Sequence, residues 1–396
     1  MAAVDVSLDS VSSHELIIVL VSINSEVAML DKLIFNPGIR RDGTNYSNEG
    51  SWFDCDKVRF RNNRPENIGG WTKSISTALV GTPRSLLQYT TLESVDLMLV
   101  CTSRKVYLEE SGITYDITPV RATTTLGTNP LTTGDVGSGL ITISDVAHLA
   151  AVGDYVTISG ATTVDGITDT EINLEFEVVE VPTADTYVID TGGAATAGAT
   201  AGGGSSVVVA YQINIGLDTS VLGVGWGAGP WSRLGWGSAA GSLAGQNLRL
   251  WSSDTFGEDV VFNIMDGAIF YRDSSLGLPI RAGYLEDLTG GVEVPTVARK
   301  VIVSDTDRHV IALATNEIGS ADQDPMLIRW SDQESLLDWK PKSTNTAGDS
   351  RLSQGTRIVT GVRTNREILV FTDTSLYTLQ YVGPPYIFST EFISGN

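Results

Sequence analysis

The chain has 396 residues, 42% of them hydrophobic; this is enough for a packed interior and too long for one small core, so two or more domains are expected and intrinsic disorder is excluded. It carries 47 acidic against 26 basic residues, a formal net charge of −21, with no clustered run of Lys and Arg, which excludes conventional tight binding to nucleic acid. Cys55 and Cys101 lie far apart without a C-x-x-C pair, which excludes a disulfide scaffold and a cysteine-based zinc site; both read as small buried hydrophobes.

The first apolar run, "ELIIVLVSI" (15–23), is well short of the ~20 residues a membrane span needs, and Asp5, Asp9 and Glu15 stand where a signal peptide would be positive. No membrane anchor is expected. Met29 opens "MLDKLIFNPGI", which reads as an ordinary start, so residues 1–28 read as an N-terminal extension outside the fold. Beyond it helix signals are scarce. Short β-branched and aromatic runs bounded by Gly, Asp, Asn, Ser and Thr predict an all-β protein.

Residues 29–119 read as an N-terminal docking segment followed by a first propeller blade. The block "FNPGIRRDGTNYSNEGSWFDCDKVRFRNNRPENIGGW" (35–71) places Arg40, Arg41, Arg59, Arg61 and Arg64 in an otherwise acidic protein. "KVRFRN" alternates as a strand, with Val58 and Phe60 on one face and Lys57, Arg59 and Arg61 on the other. Two readings follow. Either the arginines pair with local acids beside a turn at Pro65 and Gly69-Gly70, or Arg40, Arg41, Arg59 and Arg61 contact a neighbouring subunit, where Arg is enriched and forks onto carboxylates.

"MLVCTSRKVYLEE" (98–110) aligns with "ILVFTDTSLYTLQ" (368–380), each a strand, a polar turn and a second strand bearing Tyr107 or Tyr377. "VFNIMDGAIFYRD" (261–273), with an Asp266-Gly267 hairpin turn, is a looser copy, and "VIALATNE" (310–317) opens a fourth. "LRLWSSD" (248–254) echoes "LIRWSDQ" (327–333), each with Trp-Ser at a strand end. The step of roughly 50–60 residues suits four-stranded propeller blades. About four copies are present where propellers close with 4–8, so the ring reads as unfinished and residues 248–396 as further blades of a truncated platform.

Between the first two copies, residues 120–213 read as an inserted small β-barrel or β-sandwich with strands at 140–144, 154–160, 173–181, 186–190 and 206–213. "GGAATAGATAGGG" (192–204) reads as its flexible tip or hairpin loop. Residues 214–247 form a Gly/Trp-rich connector containing "GVGWGAGPWSRLGWG" (223–237), whose Trp226, Trp231 and Trp236 are candidate subunit contacts. Their rings offer large areas for burial that would offset the entropy of ordering a glycine-rich backbone.

Signals for chemistry are weak. His14, His148 and His309 are too few and scattered for a zinc site, and no H-E-x-x-H, G-x-S-x-G or Gly-Lys pair occurs. "DTDRH" (305–309) sets His309 beside Asp305 and Asp307, and reads by default as a polar turn. Asp54/Asp56, Asp305/Asp307 and Asp322/Asp324 continue into no calcium loop and read as turn acids. No catalytic residue, cofactor or metal site is assigned.

The 35–71 block resembles the N-terminus of tail nozzle or tail tubular proteins of short-tailed, podovirus-like bacteriophages, a group related to the packaged-DNA stabilisation proteins. Residues 223–237, 328–359 and 368–388 resemble the same group, so the likeness spans most of 30–396. It implies a β-propeller-like platform with inserted β domains. The implied role is structural and non-enzymatic: a homo-oligomeric ring, a hexamer, made in the host cytoplasm and residing in the virion tail. Its implied partners are the adaptor or head–tail connector, other tail proteins, and double-stranded DNA that passes through without tight binding. An acidic lining suits such a conduit, because it avoids the counterion-release attraction of basic surfaces. Two departures stand out: residues 1–28 have no counterpart, and the family continues past residue 396 with its channel-closing part. A receptor- or glycan-binding tail protein without catalysis is the alternative, with the three tryptophans as a sugar-stacking surface.

Overall fold

The computed structural model describes residues 36–44, 46–70, 72–73, 75–217, 248–304 and 307–395. Residues 1–28 and Trp226, Trp231 and Trp236, with nearly all of the 214–247 connector, therefore lie outside the described residues. The chain divides into two compact units, Met1–Ser74 and Ile75–Asn396.

In the first unit, β1 (Asn36–Ile39) pairs in parallel with β2 (Ser51–Trp52), and β3 (Val58–Arg61) pairs antiparallel with β4 (Arg64–Asn67). The β3–β4 hairpin turns on Asn62 and Asn63, both at positive φ, as a two-residue turn matched to strand twist requires. Val58 and Phe60 are half-buried and alternate with exposed Arg59 and Arg61, as the sequence predicts.

The second unit is almost entirely β, with four four-stranded antiparallel sheets that follow one another along the chain. The first holds β5 (Pro83–Thr90), β6 (Asp96–Thr102), β7 (Val106–Glu110) and β8 (Ile113–Asp116). An eight-stranded sheet intervenes: β9 (Val120–Thr125), β10 (Leu131–Thr133), β11 (Leu140–Ser144), β12 (Tyr155–Ser159), β13 (Glu175–Thr183), β14 (Thr186–Asp190), β15 (Ala201–Gly202) and β16 (Val208–Gln212). The second four-stranded sheet holds β17 (Trp251–Phe256), β18 (Asp259–Ile264), β19 (Ile269–Arg272) and β20 (Gly283–Tyr284). The third holds β21 (Ala298–Val303), β22 (Val310–Thr315), β23 (Leu327–Trp330) and β24 (Gly348–Arg351). The fourth holds β25 (Ile358–Arg363), β26 (Ile368–Thr372), β27 (Ser375–Gly383) and β28 (Ile387–Gly395).

Each four-stranded sheet is a meander in chain order, and the sheets stack face to face. One core joins the first sheet to the second through Leu97, Leu99, Leu108, Phe262 and Phe270. A second joins the second to the third through Val261, Ile269, Val301 and Val310. A third joins the third to the fourth through Ile311, Leu313, Ile328, Ile368 and Val370. The opening strands lie side by side, β17 between β5 and β21, and β21 beside β25. Polar side chains of the second sheet satisfy the β21 backbone there: Val301 N donates to Ser252 Oγ (3.0 Å), Val303 N to Asp254 Oδ2 (2.9 Å), and Asn263 Nδ2 donates to Ala298 O (2.8 Å). At Gly361 on β25, an added Cβ would meet Leu313 Cδ1 at 2.5 Å and Ile302 Cδ1 at 3.0 Å, so the third and fourth sheets approach too closely there for a side chain.

Three of the sequence copies fall on second and third strands, β6–β7, β18–β19 and β26–β27, and the fourth covers the second strand β22. The Trp-Ser echo is different. Trp251 opens a first strand whereas Trp330 closes a third, so these tryptophans are not blade equivalents. Cys101 is buried but Cys55 is half-exposed, so only one of the two behaves as a core hydrophobe.

The inserted sheet runs β15-β10-β11-β14-β13-β12-β16-β9 and closes its inner face over one core that includes Leu131, Ile143, Val156, Phe176, Tyr187 and Val209. Five of its strands, β11, β12, β13, β14 and β16, match the predicted ones. β9, a Thr-rich strand, and the very short β10 and β15 carry too little pattern to be read in advance. The glycine- and alanine-rich stretch 192–204, expected to be flexible, is instead held down. Asp165 accepts from Thr196 Oγ1 (2.7 Å), Ala197 N (2.8 Å), Gly198 N (2.7 Å) and Thr133 Oγ1 (3.0 Å).

Candidate interaction surfaces

In the first unit, cross-strand register sets Arg59 opposite Glu66, and the guanidinium forks onto the carboxylate, with Nε to Oε2 at 3.3 Å and NH2 to Oε1 at 3.1 Å. That hydrogen-bonded pairing holds the Glu66 pKa below its ordinary value and raises that of Arg59. Arg41 NH2 lies 2.7 Å from Asp54 Oδ1, its Nε donates to Phe53 O (3.3 Å), and its guanidinium stands 5.8 Å from the Phe53 ring centroid. These two arginines follow the local-pairing reading. Arg40 uses its backbone N to donate to Trp52 O (2.9 Å) and Arg61 stands opposite Arg64; neither side chain has a carboxylate partner among the described residues.

No described residue of 36–73 is buried. Tyr46 is 90% and Phe53 63% exposed, and the Trp52–Phe60 ring contact (6.3 Å) is the main apolar contact between the two strand pairs. The segment also carries seven basic and five acidic residues, the reverse of the chain's overall 26 against 47.

The second unit contains a polar cluster that the sequence does not advertise. Buried Lys105, from the β6–β7 turn, donates to Asp116 Oδ2 (2.9 Å) and to Glu175 of β13, with its Nζ 4.3 Å from the Tyr155 ring centroid. Arg281 NH2 donates to Glu175 Oε2 (2.8 Å), Arg281 NH1 to Thr118 O (2.9 Å), and Gln212 to Glu175. Burial alone would raise the Asp116 pKa, but Lys105 and Arg281 outweigh it and the net shift is downward. The cluster clamps the inserted sheet to the first sheet. Its members lie at 105, 116, 175 and 281, and no motif or spacing links them.

Of the 305–309 turn, residues 307–309 are described. His309 is fully buried, with Nδ1 2.7 Å from Ser331 O, so that nitrogen carries the proton. Its ring packs against Phe388 (5.3 Å) and Tyr381 (6.1 Å), and burial lowers its pKa. Asp307 lines a cavity of about 50 Å³ with Ser304, Arg366, Tyr381 and Phe388. Asp305 lies outside the described residues. The other Asp-x-Asp pairs sit in turns, Asp54 on Arg41 and Asp324 on Arg351 (2.6 Å). Among the described residues no three His, Cys, Asp or Glu side chains gather to hold a metal, and no helix is long and apolar enough to cross a membrane.

No protein-family profile and no curated protein matches the chain. Among solved structures, it is similar to the phage phi92 endosialidase at 11% identity and a TM-score of 0.22, over 80% of this chain. The match takes in 44% of that structure, so the chain spans under half of its length.

Proposed function

We propose that this protein is a structural component of a phage tail, a nozzle or hub subunit that assembles into a ring, forms part of the DNA-ejection conduit and helps to retain packaged DNA. The observation that carries it is the run of four four-stranded antiparallel meanders packed face to face, a platform of propeller-like blades. The sequence resemblance at 35–71, 328–359 and 368–388 supports the same reading. The segment 36–73, in which basic residues outnumber acids and no described residue is buried, suits docking to an adaptor or neighbouring subunit. Electron microscopy of the purified protein, with mass photometry, is expected to show ring-shaped oligomers. A stable monomer that virions lack, or turnover of a sialic-acid polymer, overturns the assignment.

A further inference from the structure

His309 stands where the third and fourth sheets meet. It precedes β22, in a turn closed by Ser304 N donating to His309 O (2.9 Å) and Arg308 N to Ser304 O (3.0 Å). Its side chain is fully buried. On the third-sheet side, Nδ1 donates to Ser331 O (2.7 Å), and Val310 N donates to Ser331 Oγ (3.0 Å). On the fourth-sheet side, Phe388 of β28 and Tyr381 of β27 lie against the ring, with centroids at 5.3 and 6.1 Å. Phe388 also meets Trp330 of β23 at 5.2 Å, and both belong to the core that the two sheets share. The imidazole is therefore a part of the joint itself.

Its two nitrogens are unequally provided for. Nδ1 has an acceptor, whereas Nε2 is buried without a partner. In the neutral ring that leaves one unmet acceptor. In the imidazolium the same atom becomes a buried donor on a charged ring, which costs far more. Few groups face it. Asp307 Oδ2, two residues away, is likewise buried without a partner. Asp332 also acts on the ring, but its Oδ1 accepts from Thr346 N (2.8 Å) and Thr346 Oγ1 (2.7 Å). Arg308 lies 4.0 Å from Glu334. At the neighbouring cavity, Arg363 NH1 donates to Asp254 Oδ2 (3.1 Å) and Val303 O (2.7 Å), and Arg366 and Glu367 form part of the wall.

We infer that His309 makes the joint between the third and fourth sheets acid-sensitive: a second proton on its ring loosens the fourth sheet from the third. The sequence holds three histidines, of which His148 lies in the inserted sheet and His14 outside the described residues. Among the described residues His309 is thus the one histidine at a junction between four-stranded sheets.

The direction follows from burial, which holds the His309 pKa below its ordinary 6.5 against the opposing pull of Ser331, Asp307 and Asp332. A folded-state value below the unfolded one means that this stability is complete above pH 6.5 and is lost as pH falls below it. For one proton the equilibrium constant changes by up to about tenfold per pH unit. Asp307 works in the opposite sense: burial raises its pKa above the ordinary 3.8, so its proton favours the folded state and enters at lower pH. The window that belongs to His309 opens just below pH 6.5.

The test is hydrogen exchange on the full chain between about pH 7.5 and 5.5, with protection read separately for β26–β28 and for β18–β19. Fourth-sheet amides are expected to lose up to about tenfold in protection across the lower half of that range, and second-sheet amides to keep theirs. His309→Asn retains a donor for Ser331 O but takes no second proton, so its fourth-sheet protection is expected to be independent of pH, whatever its absolute level. His148→Asn is expected to keep the wild-type response. Should His309→Asn fail to fold, an NMR titration of His309 in the wild-type protein decides: a midpoint below 6.5 supports the inference and one at or above it overturns it. Flat wild-type protection, a loss shared equally by the second sheet, or a loss that survives His309→Asn also overturns it. So does a gain of protection at low pH, which means that Asp307 receives the new N–H and tightens the joint.

Discussion

Asp165 shows how one side chain orders a stretch that composition marks as loose. The Thr196 hydroxyl, the amides of Ala197 and Gly198 and the Thr133 hydroxyl all donate to its carboxylate, lowering its pKa from 3.8 to about 2. Because the folded-state pKa is depressed, the stabilisation is present above pH 3.8 and is lost as pH falls through about 2. Asp165→Asn is therefore expected to destabilise the protein at neutral pH and to remove part of the stability change between about pH 4 and pH 2. Chemical denaturation across that range measures it, and hydrogen exchange at the Ala197 and Gly198 amides reports whether the loop is released. At the same scale the structure divides the predicted arginine contacts. Arg41 and Arg59 are tied to Asp54 and Glu66, whereas Arg40 and Arg61 make no ion pair among the described residues, although the Arg61 charge also helps to lower the Glu66 pKa. The spacing of the arginines does not announce that split, because it depends on which carboxylate the hairpin register sets opposite each one.

Among elements, second strands report their neighbours. β22 is buried throughout, whereas β26 alternates, because among the described residues a sheet packs on only one of its faces. Their sequences are alike in being apolar on both faces, so the difference lies in what each packs against. The inserted sheet is tied to the first by the cluster of Lys105, Asp116, Glu175 and Arg281. Glu175→Gln leaves the buried Lys105 with Asp116 as its remaining carboxylate and is expected to cost about 3 kcal/mol, the range for breaking a buried ion pair. Thermal denaturation checks the loss. The insert's own core, built from residues such as Ile143 and Val156, is untouched by the substitution, so cleavage by a protease is expected to begin at the junctions near 117–120 and 213–217.

At the scale of the molecule, charge and surface separate. The chain as a whole is strongly acidic, although basic residues outnumber acids in 36–73 and again in 329–366. A protein of this charge gains little from counterion release on DNA, so no gel retardation of double-stranded DNA is expected at about 100 mM salt. Retention that weakens steeply with added salt would instead identify a DNA-binding surface and count against a conduit whose wall DNA slides past.

The sequence alone determined the all-β class, three strand-turn-strand copies on second and third strands with the second strand of the remaining sheet, five strands of the insert and the alternating arginine hairpin. Each is written in a local pattern, a two-residue period bounded by turn residues, which a short window contains in full. Tertiary structure decided the rest. It brought Lys105, Asp116, Glu175 and Arg281 together, bound the glycine-rich loop to Asp165, and buried His309 between the third and fourth sheets. These features join residues distant in the chain, and their energies depend on register, burial and distance. Such quantities come into existence only when the sheets have stacked.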